Sequence, residues 1–169
     1  MTISGTHGVE GYCGSGAQLD WMLRGEQARV PAGTAVMIIH AINPYGFAWN
    51  RRVTHANVDL NRNWIDFDGA ARHNRAYDEL AEAVTPREWD ERAQAESTAR
   101  ILDHARQHGP AAMQQAVNSG QYRHPAELFY GGSAPTWSRR TPTEIFISML
   151  GRARQIAIID CHTGPGPWG

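Results

Sequence analysis

Two short apolar runs constrain the fold of this chain more than any other feature. The first is AVMIIHAI at residues 35–42, which stops at Asn43 and Pro44, and the second is IAIID at residues 156–160. Continuous apolar runs of this kind are typical of parallel strands that are covered on both faces. We therefore expect two buried strands, in addition to a short strand-like start at residues 1–3.

Helical signals alternate with these strands. Thr85 is a possible N-cap, Pro86 takes the first helical position, and the helix that they open is expected to end at Gly109. Three further helices are expected at residues 9–23, 111–118 and 143–152. Residues 47–70 are rich in Asn, Asp and Arg and are expected to form a loop.

The alternation of strands and helices indicates an α/β fold. We expect three layers, in which a mostly parallel, mixed sheet is flanked by helices. The chain has 169 residues, of which 41% are hydrophobic. That length is enough for one core and too short for two ordinary domains, so a single domain over residues 1–169 is expected.

The charge balance argues against two classes of partner. With 16 Lys+Arg and 17 Asp+Glu the formal net charge is -1, which gives no electrostatic reason to expect a nucleic acid or an anionic membrane. No apolar stretch approaches the roughly 20 residues of a spanning helix, and the first residues lack the pattern of a signal peptide. A cytoplasmic protein is expected.

Two histidines stand where strands end. His7 follows the strand-like start and is three residues before Glu10, with Gly8 permitting a turn between them, and His162 closes the second apolar run. A hydrolytic zinc site needs three protein ligands and one open position. The alternative for a lone His-x-x-Glu pair is a capping or surface histidine. A second such pair, His124 to Glu127, contains a proline and is expected to form a rigid surface turn.

A further group of polar residues lies between these histidines. Asp59, Asn61 and Arg62 fall within four residues of one another, shortly after the arginine pair Arg51 and Arg52. Such a segment is either a solvated loop whose arginines bind neighbouring carboxylates, or part of a binding site. Asp160 likewise either supports a metal site at His162 or makes a structural hydrogen bond.

Three blocks in this order carry a family resemblance: GTHGVEG, NPYGFAWNRRVTHANVDLNRNW and DCHTG. Together they resemble the zinc carboxypeptidase superfamily, and especially a bacterial branch of carboxypeptidase-like proteins. The resemblance implies one Zn²⁺ ion held by His7, Glu10 and His162. It also implies that Asp59 accepts a hydrogen bond from the far ring nitrogen of His7 and so fixes its tautomer.

The same resemblance assigns the remaining polar residues to a substrate. Asn61 and Arg62 would hold a substrate carboxylate, for which a guanidinium offers two parallel donors. Arg52 would polarise the scissile carbonyl and stabilise its oxyanion, with Arg51 as the substitute if the register slips by one. The implied function is zinc-dependent hydrolysis of the amide bonds of peptides that carry a free carboxylate.

The chain also departs from the pattern of this superfamily. The catalytic glutamate and a substrate-binding tyrosine are expected downstream of His162, where only TGPGPWG follows, and the leading strands are expected upstream of Met1. We therefore expect a form truncated at both ends, with weak or no activity because general acid–base help is typically worth about 10² to 10⁴ in rate. Exposed sheet edges would favour self-association.

Three alternative functions stay open at this point. Deacylases of N-acyl amino acids share the ligand pattern, so the substrate is either a peptide or an acyl-amino acid. A non-catalytic zinc-binding fragment would keep the ligands without the chemistry. A plain α/β binding module without metal would leave the three ordered blocks unexplained.

Overall fold

The structure is a computed structural model that describes residues 1–70 and 72–163. The chain forms two compact units. The first comprises Met1–His55 and Thr136–Gly169, and the second comprises Ala56–Pro135. The expectation of one domain over the whole chain stays a prediction.

The described residues contain helices and a small parallel sheet, and the expected α/β class is confirmed. The elements are, in chain order, β1 (Thr2–Ser4), α1 (Gly11–Leu23), a 3-10 turn (Glu26–Arg29), β2 (Ile38–Ile39), α2 (Pro44–Trp49), α3 (Leu60–Asn63), α4 (Arg75–Val84), α5 (Glu91–His108), α6 (Pro110–Asn118), α7 (Trp137–Leu150) and β3 (Ile159–Cys161).

The sheet of the first unit has the order β2–β1–β3, and both pairings are parallel. Thr2 is paired with Ile38 on one side and with Ile159 on the other. Since all three strands run in the same direction, their carboxyl ends meet at one edge. The loops that follow β1 and β3 therefore begin side by side, which is the usual place for functional groups in such sheets.

Helix α1 approaches the sheet closely because small and polar residues line the contact. A Cβ on Gly14 would lie 2.6 Å from the Cβ of Cys161 and 2.9 Å from that of Ser4. The buried Ser4 hydroxyl donates to Gln18 Oε1 at 2.8 Å, and Gln18 Nε2 donates to the carbonyl of Ile39 at 3.1 Å. One buried glutamine thus connects two strands to the helix, and its polar atoms are satisfied.

The expectation of two fully buried strands is wrong. In the run that leads into β3, Ile156, Ile158 and Ile159 are 52%, 57% and 61% exposed. Helix α1 packs on β1 and β3. Apolar composition favours burial, but burial also requires a covering layer. The first run is shorter than expected as well, since only Ile38–Ile39 pair with the three-residue β1.

Two helix starts differ from the sequence prediction. Thr85 closes α4 instead of opening α5, because its N–H donates to the carbonyl of Ala81. Helix α5 begins at Glu91, where the side chain of Asp90 accepts from the N–H of Ala93 at 2.7 Å. The expected end at Gly109 is confirmed.

Helix α7 begins at Trp137 instead of residue 143, and Pro142 lies inside it. The proline occupies the second turn, where its missing N–H costs one hydrogen bond. The helices expected at residues 9–23 and 111–118 are confirmed as α1 and α6, within two residues at each end.

Helices also occur where the sequence prediction placed a loop or left the chain unassigned. Asn43 caps α2 by accepting from the N–H of Gly46 at 3.0 Å, and Asp59 caps α3. Helix α4 is capped by Asn74 and has a buried apolar face that includes Tyr77 and Leu80. A polar cap followed by apolar residues at helical spacing is the sequence signal that could have predicted these helices.

The core of the second unit is centred on α4. Tyr77 is fully buried, and its hydroxyl donates to the carbonyl of Leu128 at 2.9 Å. Burial and the nearby charge of Glu127 raise the pKa of Tyr77 to about 12. The phenol therefore stays protonated and keeps its donor role at all ordinary pH values.

Among the described residues, no helix combines the length and the apolar character that crossing a membrane would require.

Asp78 on α4 collects three cationic or ionisable partners. Its Oδ2 lies 2.6 Å from His73 Nε2 and 2.8 Å from Arg123 Nη1, and its Oδ1 lies 2.8 Å from His124 Nε2. The hydrogen bonds from His124 and His73, together with the charge of Arg123, lower the pKa of the Asp78 carboxyl. Asp78 thus ties the segment around residues 123–124 to α4.

We expect Asp78→Asn to lower the free energy of unfolding by about 1–2 kcal/mol, a value reduced for partial exposure. Because the folded-state pKa is lowered, this contribution is present above the usual pKa of 3.8 and is lost as the pH falls through the folded value. Urea unfolding at several pH values between about 3 and 7 measures the loss of stability and its dependence on pH. Glu96→Gln, which breaks the exposed pair with Arg92, is the control and should cost less than about 0.5 kcal/mol.

Candidate metal centre

Three potential metal ligands meet at the carboxyl edge of the sheet. His7 lies in the turn between β1 and α1, Glu10 is the residue before α1, and His162 directly follows β3. Since β1 and β3 are neighbouring parallel strands, the register that pairs Ser4 with Cys161 brings the two histidine-bearing segments together. His7 and Glu10, near the start of the sequence, therefore lie close to His162, near its end, at the same edge of the sheet.

The distances suit a single ion. One ligand atom from each of His7, Glu10 and His162 can be chosen so that all lie within 4.8 Å of one another. Two ligands of a tetrahedral zinc ion, each about 2.0–2.2 Å from the metal, lie about 3.3–3.6 Å apart, so a ligand atom would have to move by about 1 Å to complete the site. The imidazole rings of His7 and His162 have centroids 5.0 Å apart and are nearly perpendicular, at 82°.

Burial differs across this cluster. The His7 side chain is 3% exposed, that of Glu10 is 13% exposed and that of His162 is 29% exposed. The gradient leaves the His162 side accessible to solvent. Two imidazoles and one carboxylate form the donor set of known catalytic zinc sites, in which the fourth position is open.

Both oxygens of the Glu10 carboxylate have partners. Oε1 lies 2.5 Å from His7 Nδ1, and Oε2 accepts from the backbone N–H and the hydroxyl of Thr163, at 2.6 and 2.9 Å. Burial raises the pKa of Glu10, but the hydrogen bonds from Thr163 and His7 outweigh it, and the net pKa is lowered. The lowered pKa favours the ionised form of this carboxylate.

Asp160 makes the structural hydrogen bond that its sequence position left open, and its support of a metal site stays a prediction. Its Oδ2 lies 3.3 Å from Nδ1 of His162, and its Oδ1 accepts from the hydroxyl of Thr6 at 2.9 Å. Thr6 immediately precedes His7. Asp160 therefore ties β3 to the turn that carries His7, and its carboxylate lies within ion-pair distance of His162.

Gly8 brings the arginine pair close to this turn. Its N–H donates to the carbonyl of Arg51 at 3.1 Å, and a Cβ on Gly8 would lie 1.8 Å from the carbonyl carbon of Gly46. The backbone at Arg51 and Arg52 is thereby placed beside the residue between the two N-terminal ligands. Arg51 is exposed and Arg52 is partly buried.

Asn43, which the sequence prediction treated only as a strand end, fixes this arrangement. It is fully buried, and its Nδ2 donates to the carbonyls of Arg52 and Thr6 at 3.4 and 3.5 Å. One amide thus spans from the Arg52 segment to the ligand turn. Asn-Pro after an apolar run signals a turn, but it does not reveal such long-range partners.

Asp59, Asn61 and Arg62 lie in the second unit. Asp59 is fully buried and caps α3, since its Oδ1 accepts from the N–H of Asn61 at 2.9 Å. The expected hydrogen bond from His7 to Asp59 stays a prediction. Asn61 is exposed at the start of α3.

Arg62 is held by the segments around it. Its Nη2 donates to the carbonyl of Asn118 at 2.6 Å, and its guanidinium carbon lies 5.8 Å from the centre of the Phe129 ring. Gly120 makes room for its side chain, because a Cβ there would lie 2.6 Å from Arg62 Cδ. Within the described parts of the chain, its Nε is buried without a hydrogen-bond partner. The assignment of Arg62 to a substrate carboxylate stays a prediction.

The second His-x-x-Glu pair has a different environment. His124 Nε2 binds Asp78, and its Nδ1 lies 3.5 Å from Glu127 Oε1. Over residues 1–70 and 72–163, the one group of three or more His, Cys, Asp or Glu with metal-ligand spacing is His7, Glu10 and His162.

No curated protein and no solved structure matches the chain. One family model, described as a protein of unknown function (DUF2817), matches residues 1–169. The chain therefore belongs to the DUF2817 family.

Proposed function

We propose that the protein is a zinc-dependent hydrolase of amide bonds, related to the zinc carboxypeptidase superfamily and acting on peptides with a free carboxylate. The observation that carries the proposal is the convergence of His7, Glu10 and His162 within 4.8 Å. Their donor set fits zinc with one position left for water. A zinc ion held there would supply a Lewis acid and would lower the pKa of water to about 7.

We assign the remaining electrostatics of the proposed metal site to Arg52, which belongs to the first unit. Arg52 would stabilise the negative charge that develops on the scissile carbonyl oxygen, since it belongs to the segment whose backbone adjoins Gly8. The buried imidazole of His7 and the ionised carboxylate of Glu10 hold the cation from the protected side. His162 completes the set from the exposed side, where substrate would enter.

The substrate carboxylate is assigned to Asn61 and Arg62. The planar guanidinium of Arg62 offers paired donors, of which Nη2 is engaged by Asn118. By the family resemblance, Asp59 would accept a hydrogen bond from the far ring nitrogen of His7. We assign no side chain to the general base, so the proposal concerns metal binding and charge stabilisation.

A hydrolysis panel tests this function. Zinc-loaded protein is incubated with dipeptides that have a free carboxylate, the same dipeptides with an amidated C-terminus, and N-acyl amino acids. Because no general base is assigned, we expect slow cleavage of the free-carboxylate peptides, loss of activity in a chelator, and a fall in kcat/KM of about 100-fold in Arg52→Gln. Arg51→Gln changes the residue that would take this role if the register slipped by one, and it should lower kcat/KM less than about threefold; the opposite ranking of the two variants would assign the role to Arg51.

Two outcomes would contradict the proposal. Zinc-loaded protein that cleaves none of these compounds would favour a non-catalytic zinc-binding role. Cleavage of N-acyl amino acids alone would favour the deacylase alternative.

A further inference from the structure

Thr163 makes long-range hydrogen bonds to a proposed ligand. Its backbone N–H and its hydroxyl both donate to Oε2 of Glu10, across 153 residues of sequence. The partner oxygen, Oε1, is the one that lies 2.5 Å from His7 Nδ1. The two donors therefore fix the rotation of the carboxylate, and Oε1 is kept on the side of the histidine.

Thr163 is also the residue after His162. A bond from Thr163 to Glu10 consequently anchors the segment that follows β3, on which His162 lies, to the first residue before α1. Asp160 provides a second anchor on the other side of His162, through its bond to Thr6. Two ligands from opposite ends of the chain are thus held in register by side chains that are not themselves in the ligand set.

We infer that Thr163 is a positioning residue that orients Glu10 as a one-oxygen metal ligand and holds His162 beside it. This inference rests on the proposed function. Hydrogen-bonding partners of metal ligands typically contribute 10- to 100-fold to metal affinity. With Oε2 engaged by two donors, Glu10 takes one coordination position and leaves another for solvent or substrate.

The test compares three forms of the full chain by competition with a chromophoric zinc chelator. Thr163→Val removes the hydroxyl, preserves the shape and retains the backbone N–H, and we expect about 10-fold weaker zinc binding. Thr163→Ser restores the hydroxyl and should bind within about threefold of the unchanged protein. The metal-free Thr163→Val form should lose only the small stability of one exposed hydrogen bond, whereas a merely structural role would weaken zinc binding only through extensive unfolding before metal is added.

The outcomes separate this inference from the proposed function. If the unchanged protein binds zinc and Thr163→Val binds it equally well, the positioning role is overturned while the metal site stands. If Thr163→Val binds weakly and Thr163→Ser does not recover affinity, the hydroxyl is not the relevant group and the inference also fails. If the unchanged protein binds no zinc, both fail together.

Discussion

Replacing His7 with alanine is expected to lower the zinc affinity of the protein by at least about 100-fold. Partners of metal ligands alone contribute 10- to 100-fold, so loss of a ligand should cost more. His7 is also the most buried of the three proposed ligands. Zinc titration in the presence of a competing chelator measures the change.

A second pair of variants distinguishes loss of a metal ligand from misfolding. Glu10→Gln keeps the shape of a proposed ligand and removes its charge, whereas Glu127→Gln makes the same change in the other His-x-x-Glu pair. Zinc affinity should fall in Glu10→Gln and stay unchanged in Glu127→Gln. Equal effects of the two substitutions would mean that zinc does not depend on the cluster at His7.

Replacing Gly8 with alanine is expected to destabilise the first unit by about 3 kcal/mol or more. The new Cβ would lie 1.8, 2.0 and 2.3 Å from three backbone atoms of Gly46 and Phe47. Backbone cannot move aside as a flexible side chain can, and overpacking of this kind costs about 1–3 kcal/mol even when side chains can adjust. The ligand turn would be forced away from α2, so zinc affinity should fall together with stability.

Gly16→Ala is the matched control for this substitution. Gly16 lies inside α1, and a Cβ there would meet nothing within 4 Å. Since alanine favours helix over glycine, this change should stabilise the protein by about 0.5–1 kcal/mol. Urea unfolding of both variants measures the expected loss of stability in Gly8→Ala and the expected gain in Gly16→Ala. A Gly8→Ala variant as stable as the unchanged protein would contradict the close approach of the turn to α2.

The parallel sheet and the meeting of His7 with His162 follow from patterns that sequence carries well. Apolar runs that alternate with helices indicate a parallel sheet, and residues placed after its strands share one edge. The glycines of α1 have a structural role that the sequence alone could not predict. They weaken the helix by propensity, yet Gly14 is required because Cys161 and Ser4 leave no room for a side chain.

The predicted start of α5 and the predicted burial of the strands were wrong because both depend on tertiary contacts. Thr85 has the residue type of an N-cap, but it is the C-cap of α4, and its N–H donates to the carbonyl of Ala81. The isoleucines before β3 have the composition of a core strand, but their burial depends on neighbours that local pattern does not specify. The bonds from Thr163 to Glu10 and from Asn43 to Arg52 likewise depend on final backbone positions.

The central claim is that one divalent ion is held by His7, Glu10 and His162. X-ray absorption spectroscopy of the protein loaded with one equivalent of zinc tests it most directly. We predict nitrogen and oxygen neighbours at about 2.0–2.2 Å with the multiple-scattering signature of two imidazoles, and loss of one imidazole in His7→Ala. A sulfur neighbour at about 2.3 Å, which would indicate Cys161 or Cys13, or a spectrum unchanged by His7→Ala, would contradict the account.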